Sequence, residues 1–380
     1  MAKRRLNGEG TISWHIGNNA YLIQITMEGK RVTKYAKTLK LAKAKLKELQ
    51  SMQEEGIEVD SGAMTMKAFL TGWLTLRKRT LRASSYESYS ISVNKYLIPR
   101  FGHIKLAKLS PEQINKVWED MEKDGIGMSV IEHAHSRLAT ALIHAVKRKL
   151  RRDNPMTFVP KPYAESSAVR ALSQEESVAV INQSQIEFNG DYYPIIHTAL
   201  HTGIRRNELL ALTWRDVDLD LGTISITKSI DHRNGITTVQ KPKTATSNRL
   251  VTLVPASSIL LRQLKIKQQQ AAILTGQEVR DSSSVFMRSD GRPLLPRAVS
   301  NGFKRIAERA GYSELKYHFH ESRHTHASLM LAQNVNAKVI QERLGHQHIT
   351  TTLTTYSHIT PTIQREASDK FVLIPEEMAQ

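Results

Sequence analysis

The chain has 380 residues, 40% of them hydrophobic, which is enough for two or three domains with cores of their own. Cysteine is absent, which excludes disulfides, thiolate metal sites and thiol catalysis. The sequence has no long apolar run, so no membrane span is predicted, and its N-terminal residues do not form the apolar run of a secretion signal. The net charge of +18 favours a polyanionic partner, with nucleic acid ahead of a membrane surface, although solubility alone would also explain it.

Residues 1–60 predict a small basic module. The first fifty residues contain eleven lysines and arginines against three acids. Turn residues at Gly17-Asn18-Asn19 and Glu28-Gly29-Lys30 separate three segments with strand character, and a helical period follows. The predicted elements are strands at Thr11–Ile16, Ala20–Met27 and Arg31–Thr38 and a helix at Leu39–Met52. The lysines of this module can bind nucleic acid, or they can form an ordinary solvated surface without a role in DNA binding.

A polar segment from Glu54 to Met64 predicts a linker, and the pattern is then helical from Thr65 to about Asn154. The first of these helices is marked by Phe69, Trp73, Leu74 and Leu76. Capping patterns predict further helix starts at Ser84–Glu87, Ser110–Glu112 and Ser129–Glu132. The tyrosines at positions 86, 89 and 96 have helical spacing, so we expect them to pack in the core rather than stack on bases.

Asp153 to Ala168 contains three prolines and no periodicity, which predicts a second linker. A capping box at Ser173–Glu176 opens the next domain. The helical pattern from Tyr192 to Ala211 is interrupted at Thr202-Gly203. Arg205 lies just after this interruption, and Glu208, three residues further on, can hold it in place.

Three strands are predicted next, at Thr223–Thr227, Gly235–Thr238 and Arg249–Val254. The basic run Lys241-Pro242-Lys243-Thr244 lies between the second and the third. Helices are predicted at Ser258–Ile273 and Pro296–Ala310.

The last quarter of the chain carries the densest polar signals, from His318 to His358. Two helices are predicted within this stretch, at Arg323–Leu331 and Val335–Leu344, and Gly345 ends the second helix. A phenol at neutral pH is a poor nucleophile unless cations stabilise the charge that develops in its reaction. Tyr356 is therefore a candidate nucleophile only together with the histidines and arginines that could stabilise this charge.

This stretch resembles the C-terminal signature of the tyrosine recombinases, the phage-type integrase family. The matching motifs are R-H-T-H-A from Arg323, L-G-H from Leu344 and T-x-x-x-Y-S-H ending at His358. The family also has a T-G-x-R-x-x-E motif about a hundred residues upstream, which this chain carries from Thr202 to Glu208. Two motifs in the expected order are a much stronger signal than one.

The resemblance implies a multidomain α+β fold in three parts. A three-stranded sheet with a helix (residues 1–60) would bind arm-type DNA, as in the integrases of phages and conjugative transposons. An all-helical core-binding domain (65–155) would clamp the duplex. A mainly helical catalytic domain with a small β-sheet (168–380) would carry the chemistry.

The resemblance also implies the catalytic roles. The implied catalytic residues are Arg205, Lys243, His320, Arg323, His346 and the nucleophile Tyr356, with Glu208 behind them. Lys241 is the alternative to Lys243, and this basic segment could also simply contact phosphates. No cofactor or metal is required, because the ester bond energy is kept in the protein–DNA link.

The implied partners are double-stranded DNA attachment sites and further copies of the chain in a homotetramer on DNA. A host DNA-bending protein and an excisionase are further candidates, and the expected location is the bacterial cytoplasm, on the nucleoid. The apolar patch Phe371–Ile374 in the tail would dock either on its own domain or on a neighbouring protomer.

The chain departs from the family pattern at two positions. Ser322 stands where leucine is usual before the second arginine, which predicts weaker local helix packing, and His348 stands at a position that is often small and polar.

Two other functions remain open from the sequence. A metal-dependent nuclease is suggested by histidines 318, 320, 324, 326, 346 and 348, but no cluster of acids accompanies them. A DNA-binding regulator without catalysis is the other, although every expected polar role is filled.

Overall fold

The computed structural model describes residues 9–27, 30–54, 63–163, 171–233, 235–240, 248–312 and 318–350. The chain divides into two compact units, Met1–Ser166 and Ser167–Gln380. Among the described residues, none of the helices combines the length and apolarity needed to cross a bilayer.

The first unit begins with an antiparallel three-stranded sheet and one helix. The elements are β1 (Thr11–His15), β2 (Ala20–Met27), β3 (Lys30–Ala36) and α1 (Leu39–Glu54). The strands pair in chain order, with Thr11 opposite Gln24 and Tyr21 opposite Ala36. Alternate residues of β2 point inward, and Ile23 and Ile25 pack with Leu49 of α1 in a small core.

The rest of this unit is helical. Its helices are α2 (Met66–Thr80), α3 (Ala83–Ile91), α4 (Ile98–Phe101), α5 (Pro111–Lys123) and α6 (Met128–Lys147), with a π-helical segment, Ser92–Leu97, between α3 and α4. They enclose a second hydrophobic core, separate from that of the sheet, which contains Phe101 and Trp118. The three tyrosines at 86, 89 and 96 pack against it, as predicted.

Some details of this region differ from the prediction. The helix start predicted at Ser110 is present and has a capping box, but the boxes proposed at Ser84–Glu87 and Ser129–Glu132 are wrong, because α3 begins at Ala83 and α6 at Met128. Ser84 and Ser129 therefore lie inside the first turn rather than ahead of it. Leu76 lies in α2 as predicted, and 42% of its surface is exposed.

The second unit starts with the predicted capping box of Ser173 and Glu176. The helices that follow it are α7 (Gln174–Ile186), α8 (Tyr193–Thr202) and α9 (Arg206–Leu209). The strands are β4 (Val217–Asp218), β5 (Thr223–Ile226), β6 (Ser229–Arg233), β7 (Ile236–Gln240) and β8 (Arg249–Thr252). The last helices are α10 (Pro255–Leu274), α11 (Pro296–Arg309), α12 (Glu321–Ala332) and α13 (Ala337–Leu344).

The strands form two small antiparallel sheets, one ordered β4-β5-β8 and one made of the β6-β7 hairpin. The strand β6 was not predicted from the sequence. Ile224 and Val251, paired across β5 and β8, are buried in the core of this unit together with Phe303 and Phe319. The observed mixture of mostly helices with small antiparallel sheets confirms the predicted α+β class.

Candidate active site

Arg205 is placed by a sharp interruption between α8 and α9. Gly203 ends α8 with φ +65°, and a Cβ at this position would lie 2.5 Å from the Leu344 side chain and 2.8 Å from the His326 ring. Only glycine satisfies both the backbone and the packing. The chain then runs extended through Arg205, which occupies the N-cap position of α9.

Glu208 holds Arg205 from one side and a second arginine from the other. Its Oε1 accepts from Arg205 Nη1 at 2.9 Å, and its Oε2 accepts from the Arg205 backbone N–H at 3.2 Å and from Arg249 Nη2 at 2.8 Å. Burial by itself would raise the pKa of this carboxyl, but hydrogen bonds and charges from Arg249 and Arg205 outweigh it and hold the pKa below its ordinary value. Glu208 is therefore an ionised support for Arg205, as predicted.

Arg323 is buried, with only 3% of its surface exposed. Its Nη1 donates to Gly203 O at 2.9 Å, and its Nη2 donates to Leu344 O at 2.7 Å. These two bonds orient the guanidinium against the turn after α8 and against the end of α13. Carbonyl oxygens orient an arginine without cancelling its charge.

Ser322 lies in the first turn of α12, where the sequence predicts weaker packing. It is 1% exposed, and its hydroxyl donates to Phe319 O at 2.7 Å. The hydroxyl is thus satisfied within the first turn of the helix, so a serine can replace the usual apolar residue without leaving a buried polar group unpaired.

His320 lies at the N-cap of α12, just after Phe319, which packs its ring against Phe303 at 5.5 Å. Its own ring meets His324 edge-on at 5.1 Å. Desolvation lowers the pKa of His320 to about 4, and the nearby positive charges of Arg323 and other groups contribute to the shift. The imidazole is therefore neutral at pH 7 and has a lone pair with which it can accept a proton.

His346 follows Gly345, which ends α13 with φ +68° as predicted. Arg205 Nη2 approaches Gly345 O at 3.4 Å, so the first arginine and the loop that carries His346 are neighbours. Desolvation lowers the pKa of His346 to about 4, assisted first by the charge of Arg323 and then by that of Arg205. A neutral imidazole keeps one N–H that can donate to a phosphate oxygen.

An open cleft of about 480 Å³ lies beside these groups in the second unit. Its lining includes Arg205 and His320 together with Arg206, Asn207 and Ser300. Sequence reasoning missed Arg206, whose guanidinium donates to Asn207 Oδ1 at 3.1 Å and to the Ser300 hydroxyl. It occupies a variable position of the T-G-x-R-x-x-E motif, so no pattern in the sequence could have singled it out.

His326 and Arg343 form a second set of partly buried contacts in the same unit. His326 Nδ1 lies 3.0 Å from Leu200 O and must donate to it, which leaves Nε2 to accept from Arg343 Nε at 3.1 Å. Burial, followed by the charge of Arg343, lowers the pKa of His326 to about 3. Both ring nitrogens are thus used within the fold, and within the described ranges no set of three or more His, Asp or Glu side chains is placed to hold a metal ion.

The structure therefore brings five of the seven predicted residues into one neighbourhood: Arg205, Glu208, His320, Arg323 and His346. Lys243, Lys241, Tyr356 and the tail lie outside the described residues. The flanking strands are described, since β7 ends at Gln240 and β8 begins at Arg249.

Known proteins resemble this chain in sequence and in fold. Residues 170–362 match the model of the phage integrase family, and residues 65–121 match the model of the phage integrase N-terminal SAM-like domain. The chain is 25% identical to an integrase of Saccharopolyspora erythraea, with 97% of both chains covered. It is 26% identical to the ICEBs1 integrase of Bacillus subtilis, with 91% of this chain and 93% of that protein covered.

Two solved structures show the same fold. The Tn1549 transposon integrase in complex with transposon right end DNA superposes with a TM-score of 0.69 at 20% identity, over 81% of this chain and 99% of that one. A lambda integrase tetramer bound to a Holliday junction superposes with a TM-score of 0.59 at 16% identity, over 93% of this chain and 96% of that one.

Proposed function

This chain belongs to the phage integrase family, the tyrosine-type site-specific DNA recombinases, and we propose that Tyr356 is the nucleophile with which it cuts and rejoins DNA strands. The Tyr356 oxygen attacks a backbone phosphorus, a 3′-phosphotyrosyl bond forms, and the bond to the 5′ oxygen breaks. Attack by a 5′ hydroxyl, of the same or another duplex, reverses the step and releases the tyrosine.

The observation that supports this proposal best is the convergence of Arg205 and Arg323 beside His320. Negative charge develops on the two non-bridging oxygens during the reaction, and guanidinium groups donate to such oxygens in planar pairs of hydrogen bonds. Both arginines are held before the substrate arrives, Arg205 by Glu208 and Arg323 by two carbonyls. Such preorganised donors stabilise a transition state without reorganising during the reaction.

Proton transfer falls to the remaining groups. His320 is neutral at pH 7 and accepts the proton of Tyr356, and His346 donates its N–H to a phosphate oxygen. Lys243 protonates the leaving 5′ oxygen, with Lys241 as the alternative donor. The segment that carries Lys241 and Lys243, here called the lysine-bearing segment, lies in the sequence between β7 and β8. This order supports the role of Lys243, because β8 begins at Arg249, whose guanidinium contacts Glu208 directly.

The proposed division of labour follows the domains. Residues 1–60 bind arm-type DNA, residues 65–155 clamp the core site, and residues 168–380 carry out catalysis. The net charge of +18 suits a duplex partner. The Tn1549 and lambda structures contain DNA, and one lambda structure is a tetramer on a Holliday junction. We therefore propose DNA attachment sites as the substrate and a homotetramer as the active assembly, with a bending protein and an excisionase as accessory partners.

The test is to trap the protein on a nicked duplex that carries candidate attachment DNA. The wild type should form a covalent adduct that survives denaturing gel electrophoresis, with or without EDTA, and peptide mapping should locate the DNA on Tyr356. Tyr356→Phe should bind the duplex and form no adduct, because it lacks the attacking oxygen.

Tyr163→Phe is the matched control, since Tyr163 is 79% exposed and belongs to the other unit. It should behave as the wild type. An undiminished adduct in Tyr356→Phe would show that another residue is the nucleophile, and cleavage that EDTA abolishes would favour a metal-dependent nuclease.

A further inference from the structure

Three arginine side chains donate hydrogen bonds to three successive carbonyl oxygens at the C-terminal end of α13. Arg249 Nε donates to Arg343 O at 2.8 Å, Arg323 Nη2 to Leu344 O at 2.7 Å, and Arg205 Nη2 to Gly345 O at 3.4 Å. The last carbonyls of a helix lack partners within the helix and carry the negative end of its dipole. Two of these arginines are the catalytic pair proposed above, and the third has no assigned role.

Arg249 is also the second guanidinium on Glu208. Its Nη2 lies 2.8 Å from Glu208 Oε2, and the side chains of the two residues are 6% and 5% exposed. A single arginine therefore bridges the helix end on one side and the support of Arg205 on the other. The flat fork of arginine suits such a bridge, whereas the single ammonium of lysine cannot reproduce it.

Glu208 depends on this bridge for its orientation. With Arg249 in place, Oε1 faces Arg205 Nη1 and Oε2 faces Arg249 Nη2. Removing one member of a buried pair leaves the remaining charge poorly compensated and free to reorient or to take up a proton. Either change would release Arg205 from the position that the carboxylate gives it.

We propose that Arg249 is a positioning residue for strand cleavage, which holds Arg205 in place through Glu208 and through the end of α13. This inference rests on the proposed function. Arg249 acts on the scissile phosphate through Arg205 and not by direct contact. Its loss should therefore impair the chemical step and spare DNA binding.

The variants are Arg249→Met, Arg249→Lys and the control Arg262→Met, which removes a more exposed arginine paired with Asp220 in the same unit. Single-turnover cleavage of the nicked duplex and DNA affinity are measured for each. Arg249→Met should cleave about 10- to 100-fold more slowly, the size of effect expected when a catalytic group is displaced by about 1 Å, while binding DNA as the wild type does. Arg249→Lys should recover part of the rate, and Arg262→Met should match the wild type.

Two modified substrates separate positioning of Arg205 from other effects. A methylphosphonate at the scissile position carries less charge for an arginine to stabilise, so the deficit of Arg249→Met should shrink on it. A 5′-bridging sulfur leaves without needing a proton, so the deficit should persist on that substrate. Arg205→Ala serves as the reference and should follow the same pattern.

Wild-type rates in Arg249→Met would overturn the inference. So would a deficit that disappears on the sulfur substrate and persists on the methylphosphonate, since Arg249 would then act through the lysine-bearing segment. If Arg249→Met does not fold, as judged by circular dichroism, Arg249→Lys is compared on the same two substrates, with the same outcomes decisive. Failure of the proposed function is recognised separately, because the wild type would then form no adduct at all.

Discussion

At the scale of single residues, the second unit keeps several imidazoles neutral by burying them. His197, His320 and His346 have their pKa lowered to about 4, in each case first by desolvation. A neutral ring can accept a proton through one nitrogen, as proposed for His320, and donate through the other, as proposed for His346. The neighbouring arginines help to keep these rings neutral.

The same shifts make the stability of this unit depend on pH. His197 is 6% exposed and stacks on His201 at 4.1 Å, and burial followed by the charge of His201 lowers its pKa from 6.5 to about 4. Between these two values the unfolded chain binds the proton and the folded chain does not, so stability is complete above pH 6.5 and falls as the pH drops towards 4. The titration of His197 lowers the free energy of unfolding by about 3 kcal/mol once the pH has fallen below 4.

His197→Gln should make this dependence shallower, because one of the titrating groups is removed while those of His320, His326 and His346 remain. The measurement is the urea midpoint between pH 7 and pH 4.5, followed by hydrogen exchange in peptides from α8 and α12. His348→Gln, an exposed histidine of the same unit, should keep the slope of the wild type. Equal slopes in His197→Gln and the wild type would show that His197 is not one of the groups responsible.

At the scale of elements, a serine followed three residues later by a glutamate did not by itself fix where a helix begins, since it marks the N-cap at Ser173 but not at Ser84 or Ser129. Ser110 is followed by Pro111, which is favoured at the first helical position, and the capping box forms there. At Ser84 and Ser129 the spacing of serine and glutamate is equally good, but it fits the first turn of a helix as well as its cap. The helices begin one residue before each serine, so the pattern alone could not give the boundary.

The candidate site shows the same division. Arg205, Glu208, Arg323 and the glycine that ends α13 could be found from sequence because they lie within short motifs whose spacing carries meaning. Arg249 could not, because its partner Glu208 lies 41 residues away and the contact exists only once β8 packs beside α9. Local spacing identifies groups that act from one element, and groups that join elements emerge only from the tertiary structure.

The turn between α8 and α9 can be tested with a pair of glycines that share one backbone conformation. Gly203 has φ +65° with side chains of Leu344 and His326 within 3 Å of a built Cβ, whereas Gly276 has φ +66° and nothing within 4 Å. Gly276→Ala should cost only the strain of a left-handed alanine, about 1–2 kcal/mol. Gly203→Ala should cost more and should also slow cleavage, because it displaces the carbonyl that orients Arg323.

The two variants are compared by thermal unfolding and by adduct formation on the nicked duplex. Their difference isolates packing from backbone strain, since the strain is common to both. Equal stabilities would mean that the neighbours of Gly203 yield to a methyl group without cost, and unimpaired cleavage in Gly203→Ala would separate this turn from the placement of Arg323.

At the scale of the whole molecule, the chain contains hydrophobic cores that share no residues. The core of the N-terminal sheet is built from residues between Ile23 and Leu49, and that of the helices begins at Met66. Removal of residues 1–60 therefore leaves the helical core complete. The proposed arm-binding role then predicts which activity the shortened chain keeps and which it loses.

The shortened chain should cleave a duplex that carries only the core site at a rate close to that of the full chain. It should recombine two full attachment sites poorly, since the N-terminal module no longer holds the second site nearby. Both activities are measured on the same preparations, cleavage as covalent adduct and recombination as joined product. Full recombination by the shortened chain would count against the arm-binding role.

Adding residues 1–60 as a separate polypeptide distinguishes tethering from a change in the catalytic unit. Covalent attachment can give a module an effective concentration of the order of millimolar, so the free module at micromolar concentration supplies about a thousandth of it. Recombination should therefore stay low when the free module is added, even where that module binds arm DNA by itself. Restoration by the free module would mean that it acts on the conformation of the remaining chain, because tethering cannot operate between separate molecules.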